Sequence, residues 1–184
     1  GYDQSNTDKK YNVLYLMHGG GENENTLFGG EGQSLELKRI LDNMIAKGDI
    51  EPMIVVTPTS NGGKNDIAYF YEELRDIIVP MVEKEYNTHY DDTLQNLDAM
   101  KASREHRAFG GFSMGSACTW YVFVNCLDYF KYYLPFSGEC WAFGNDAPEV
   151  ASKLAEVVKN AGYTGIDSFK LYCATGSADI AYPN

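Results

Sequence analysis

Gly111-Phe112-Ser113-Met114-Gly115 constrains this chain more than any other stretch. An apolar, strand-like run, Arg107–Phe112, leads into it, and an apolar helical pattern over residues 113–127 leads out. The chain must therefore reverse within a few residues. A G-x-S-x-G turn between strand and helix holds its serine in a strained backbone conformation. Small residues at 111 and 115 let strand and helix approach. The serine oxygen then projects from the strand's end over a helix N-terminus, whose dipole favours developing negative charge. This predicts a nucleophile at Ser113; the competing reading is a glycine-flanked serine in an ordinary turn.

The rest of the chain repeats the same strand-to-helix logic. Asn12–Met17 reads as a buried strand and residues 18–22 as a glycine-rich turn. Residues 34–47 place Leu37, Ile40, Leu41, Met44 and Ile45 on one helical face, with Gly48 as a cap. Residues 53–57 form a second strand, stopped by Pro58. A helix is expected over residues 70–85, interrupted and kinked at Pro80, then a polar excursion over residues 87–103 with a short helix. After the Ser113 helix come a strand at Tyr132–Phe136, a helix at residues 149–161 and a strand at residues 169–174. Strict alternation predicts one α/β domain over residues 1–184: a mostly parallel sheet with helices on both faces. Chemistry in such sheets sits at the carboxyl ends of the strands. The loops to inspect begin at His18, Pro58, Ser113, Ser137 and Thr175.

His18-Gly19-Gly20-Gly21 follows the first strand directly. Hydrolases with a G-x-S-x-G turn draw one oxyanion donor from such a loop and the other from the residue after the serine. The candidate donors are the N–H groups of Met114 and of Gly19 or Gly20. A phosphate cradle is the alternative, weakened by the absence of a G-K-[ST] ending. His18 is expected to order this loop. A serine nucleophile also needs a base and a group that orients it, and in these folds acid and histidine follow the serine in that order. Asp179, beyond the last strand, is the best-placed acid. Glu139 and Asp146 are runners-up, and Asp167 precedes its strand and so lies at the wrong end. No histidine follows Ser113. His106 lies roughly 20 Å from it along an extended strand, and His89 belongs to the same far end. The general base is therefore expected outside these residues.

Composition narrows the partners. A net charge of -11 with no dense Lys/Arg cluster argues against nucleic acid. No apolar run approaches the ~18 residues of a membrane helix. The four cysteines show no C-x-x-C or zinc spacing, so no metal site is expected and reduced, buried thiols are. Fourteen tyrosines suit a protein that handles sugars or phenolic rings.

The runs YNVLYLMHGGGENENT, EPMIVVTPTSNGG, FYEELRDIIVPMVEKEYNTH and HRAFGGFSMGSACTWYVFVNCLDYFKYYLPFSGECW together resemble the feruloyl esterases of carbohydrate esterase family one. They are most similar to the modules attached to clostridial, cellulosome-associated xylanases. The resemblance implies an α/β-hydrolase fold, secretion, no cofactor, and hydrolysis of the ester joining ferulate to arabinose on xylan. Feruloylated arabinoxylan would be the substrate, and other modules of a xylanase or cellulosome would be partners. By position, Ser113 matches the family's nucleophile, Asp179 in TGSADIAY its acid, and Trp141 in SGECW a residue lining the phenolic pocket; a core aromatic is Trp141's alternative role. Ser116 departs from the glycine common in relatives. The family's histidine follows a further strand that this chain lacks, and one or two amino-terminal strands are also missing, so the chain reads as cut at both ends. Alone it is expected to be nearly inactive. Rival readings are an acetyl-xylan or other small-ester or thioester hydrolase, an acyltransferase, and a non-catalytic carbohydrate-binding derivative.

Overall fold

The computed structural model describes residues 2–60, 66–144 and 146–182 of the 184. Five parallel strands, β1 (Asn12–Met17), β2 (Met53–Val56), β3 (Arg107–Phe112), β4 (Tyr132–Phe136) and β5 (Lys170–Leu171), lie in the order β2-β1-β3-β4-β5. All four pairings are parallel, as the alternation demands. The chain winds from β1 outward to β2, then returns to the other side of β1 with β3. The order thus reverses between β1 and β3, and in open α/β sheets ligands bind in the crevice at such a reversal. The register sets Met17 beside Gly111. Topology alone therefore brings the glycine loop after β1 and the serine turn after β3 side by side.

Side chains alternate along each strand. Val13, Tyr15 and Met17 from β1 join Phe109 and Tyr133 in the core, against Phe70, Leu74, Val79, Val122 and Phe123 from the helices. Helix α5 (Met114–Cys126) is apolar around its circumference because it lies against both the sheet and the helix at Phe70–Glu73; eight of its residues are buried. Helix α1 (Glu36–Lys47) begins two residues later than its periodicity suggested and ends at Gly48, whose φ of 78° is the left-handed cap expected of glycine. Helix α6 (Ala147–Asn160) starts two residues early because Asp146 caps it, accepting a bond from Glu149 N–H at 2.9 Å.

Three expectations need correction. The helix over residues 70–85 is not broken at Pro80. It runs as α2 (Phe70–Glu73), a π-helical turn (Leu74–Ile78) and α3 (Val79–Glu85), all with right-handed helical backbone. Proline lacks an N–H and crowds the carbonyl four residues before it, here that of Asp76. The widened turn falls on that carbonyl, so the irregularity appears upstream of the proline rather than at it. The last strand is shorter than residues 169–174: beyond Leu171 only a single bridge, Ala174 to Phe136, continues it. Of the cysteines only Cys118 and Cys126 are buried, with burial pushing the Cys126 thiol up to about 12; Cys140 is half-buried and Cys173 exposed. The polar excursion holds a short helix, α4 (Asn96–Ala102). No helix among the described residues is long and apolar enough to cross a membrane.

At the foot of the sheet the rings of His89 and His106 stack, 3.4 Å between centroids and 7° from parallel, with His106 Nδ1 2.8 Å from Asn12 Oδ1. Burial, then the charges of His106 and Lys10, hold His89 below its ordinary value. Unfolded His89 protonates near 6.5, so below that pH the unfolded chain binds more protons and stability falls as the pH drops. Thermal melting between pH 7.5 and 5 should therefore show a decline that His89→Phe, which can still stack, reduces. Equal declines in both proteins would refute this.

Candidate active site

Ser113 joins β3 to α5 with φ 56° and ψ −115°, a conformation L-residues avoid. Several contacts over-determine it. Ser113 N–H donates to Phe136 O at 3.0 Å, while Ser113 O accepts from the N–H groups of Ser116 and Ala117. The glycines are required by clearance. A Cβ on Gly111 would lie 2.4 Å from Gly115 backbone, and one on Gly115 would lie 2.4 Å from Met17 O. Gly138, after β4, closes the other side: its Cβ would come within 2.6 Å of Ser113 O. Ser116, the departure from glycine, fits by donating its hydroxyl to Gly138 O at 3.1 Å. Ser113 is half-buried, flanked by the partly exposed Phe112 and Met114.

The glycine loop lies against this turn. A Cβ on Gly20 would meet Met114 Sδ at 2.4 Å. His18 is buried and both its ring nitrogens are engaged: Nδ1 lies 2.8 Å from Gly19 O and Nε2 2.7 Å from Thr59 Oγ1. A carbonyl only accepts, so Nδ1 donates to Gly19 O, and the Thr59 hydroxyl, which can donate or accept, pairs with Nε2. His18 orders the loop. Gly19 N–H is taken by Glu22 Oε2 at 2.7 Å. Gly20 N–H and Met114 N–H have no protein acceptor among the described residues. The loop, Ser60, Asp66 and Met114 wall a pocket of about 450 Å³. Glu22 and Thr59 were not foreseen. The one sequence signal for Glu22 is its place three residues after Gly19, the reach-back spacing of a capping box.

Asp179 follows the Ala174–Phe136 bridge at the carboxyl end of β4, in a turn closed by its own N–H on Gly176 O. Oδ1 accepts from Ala181 N–H at 2.9 Å, and Oδ2 has no protein donor among the described residues. The other acids are placed differently. Asp146 caps α6, and Asp167 pairs with Lys170 at the opposite end of β5. Glu139 lines a cavity of about 580 Å³ beside the end of β4, with Trp120, Cys140 and Leu154. Trp141 is 47% exposed, so it is no core aromatic; its carbonyl accepts from Tyr121 Oη. None of the three histidines offers a free imidazole beside Ser113, since His18 is bonded within the loop and His89 stacks on His106 at the far end.

Residues 2–179 match the family described as "Putative esterase". The chain belongs to that esterase family. Over all 184 residues it is 48% identical to endo-1,4-beta-xylanase Y of Acetivibrio thermocellus, and over 140 residues it is 33% identical to an endo-1,4-beta-xylanase/feruloyl esterase of Xylanibacter ruminicola. Among solved structures it superposes, with a TM-score of 0.88 and 48% identity over 99% of its length, on a serine-to-alanine mutant of the feruloyl esterase module from Clostridium thermocellum complexed with sinapinate. The fold of this esterase chain is thus that of the α/β-hydrolases. It spans 16% and 17% of the two xylanases and 61% of the solved chain.

Proposed function

We propose that this esterase chain carries the nucleophile, acid and oxyanion site of a secreted serine hydrolase that releases ferulate and related hydroxycinnamates from arabinoxylan in plant cell-wall degradation. The observation that carries the reading is Ser113, held in a strained turn beside two amides, Met114 N–H and Gly20 N–H, that no group among the described residues occupies. Such donors stabilise a tetrahedral oxyanion because they are already oriented when its charge develops. The N-terminus of α5 adds its dipole to the same point. Ser113 Oγ attacks the ester carbonyl and an imidazole from outside these residues takes its proton. Asp179 orients that imidazole through Oδ2, to which no group among the described residues donates. The sugar alcohol leaves with the proton, and water then cleaves the acyl-serine to give ferulate. This acyl transfer uses no cofactor. To the partly exposed Trp141 we assign stacking on the phenolic ring, a role that an exposed aromatic face supports. The likeness to a module solved with sinapinate, and to xylanases, supports an aromatic acyl group, an extracellular setting and xylanase modules as neighbours.

The test compares methyl ferulate with a small acetyl ester and acetylated xylan in the intact protein. An aromatic pocket predicts kcat/KM favouring the feruloyl ester by at least about 10-fold, the scale on which apolar pockets discriminate. Preference for the acetyl esters would assign a small-ester hydrolase. No ester turnover, with xylan affinity that survives Ser113→Ala, would make the chain a binding module.

A further inference from the structure

The glycine loop holds its amides in two different ways. Gly19 N–H donates to Glu22 Oε2 at 2.7 Å, and Glu22 N–H donates back to Gly19 O at 3.4 Å. Gly19 O also takes the Nδ1 hydrogen of His18 at 2.8 Å. Gly19 C=O and Gly20 N–H belong to one planar trans peptide, in which they point in opposite directions. Whatever fixes Gly19 O therefore aims Gly20 N–H. Gly20 is also the glycine that abuts Met114, whereas Gly19 abuts the Phe112 ring and the Glu22 carboxylate.

We propose that Glu22 is a positioning residue for the oxyanion site. Its carboxylate occupies Gly19 N–H and its backbone N–H helps pin Gly19 O. Gly20 N–H, rather than Gly19 N–H, then joins Met114 N–H at the acyl oxygen. The inference deepens the esterase reading and rests on it. Two effects of Glu22 oppose each other. Its bond to Gly19 N–H is charge-assisted and holds a loop that three consecutive glycines leave free to turn. Its negative charge lies near the developing oxyanion, which disfavours the transition state. The bond outweighs the repulsion if the hydrogen bond itself is what matters. A neutral acceptor at this position should then serve as well as the carboxylate.

The experiment measures kcat and KM for methyl ferulate in the intact protein and its Glu22→Ala and Glu22→Gln variants, with fluorophosphonate labelling of Ser113 alongside. Glu22→Ala is expected to lower kcat by roughly 10- to 100-fold, short of the ~10²–10³ for outright loss of an oxyanion donor, with KM changed less than about threefold. Glu22→Gln, which keeps an acceptor oxygen, is expected to stay within about threefold of the parent or exceed it. A Glu22→Ala variant as fast as the parent or faster, equal losses in both variants, or an effect confined to KM would overturn the proposal. A parent that labels at Ser113 and turns over ester while Glu22→Ala is unchanged removes this proposal alone. A parent that does neither removes the esterase reading and this proposal with it.

Discussion

Ser113→Ala is expected to lower kcat for methyl ferulate in the intact protein by roughly 10⁴- to 10⁶-fold and to leave KM within about threefold, the pattern of a lost nucleophile whose binding site survives. Alanine keeps the Cβ and so the turn: the bonds that hold it run through Ser113 N–H and Ser113 O, not through the side chain. The amides proposed for the oxyanion also remain, and they would account for whatever residual rate persists. The strained backbone supplies a second reading of the same position. At φ 56° and ψ −115° a side chain costs about 1–3 kcal/mol that glycine does not incur. Ser113→Gly is therefore expected to be as inactive as Ser113→Ala yet more resistant to urea than it. Strain retained at a residue whose removal destroys activity marks a position kept for chemistry rather than for folding. A Ser113→Ala variant within about 100-fold of the parent would transfer the nucleophile's role elsewhere and leave the strain unexplained.

What could be read from sequence depended on how local its physical cause was. Gly111, Ser113 and Gly115 announce a strand-to-helix reversal within five residues, and the structure shows why no larger residue fits at 111 or 115. Strand–helix alternation accounts for the parallel sheet, and the rule about carboxyl ends separates Asp179, which follows β5, from Asp167, which pairs with Lys170 at that strand's start. Gly19 and Gly20 could not be told apart in advance. Three flexible residues in a row allow many turns, and only the side chains of His18 and Glu22 select one. The π-helical turn was hidden because Pro80 marks a defect without saying on which side the helix absorbs it. Least legible of all was a buried ion pair between residues far apart in the chain. Glu83 falls within the helix expected over residues 70–85 and Arg107 opens the strand expected at Arg107–Phe112, and neither periodicity says that the two meet.

That pair is expected to dominate stability. Arg107 is 1% exposed, and every one of its five guanidinium hydrogens is used. Nε and Nη2 grip Glu83 Oε1 and Oε2, both at 2.6 Å; Nη2 also donates to Ser103 Oγ, and Nη1 donates to Met100 O and Tyr129 O. Tyr15 Oη donates to Glu83 Oε1 at 3.0 Å, and burial together with the Glu83 charge keeps that phenol well above its ordinary range. The network ties α3, the α4 region, β1 and β3 together at the foot of the sheet. Arg107→Ala strands a buried carboxylate with only a tyrosine and removes donors from two backbone carbonyls, so it should cost about 3–5 kcal/mol in urea unfolding, a large share of an ordinary domain's 5–15 kcal/mol. Replacing both partners by apolar residues, Arg107→Met with Glu83→Leu, should cost less than Arg107→Ala alone, because no charge is then left unpaired. Chemistry should respond differently from stability. Arg107 begins the strand that Ser113 ends, roughly 20 Å away, so the folded fraction of either variant should retain kcat within about twofold. A loss below about 1 kcal/mol for Arg107→Ala would mean that the pair is solvated in solution. A fall in kcat at full folding would mean that the two ends of β3 are coupled, and that the foot of the strand helps aim its nucleophile.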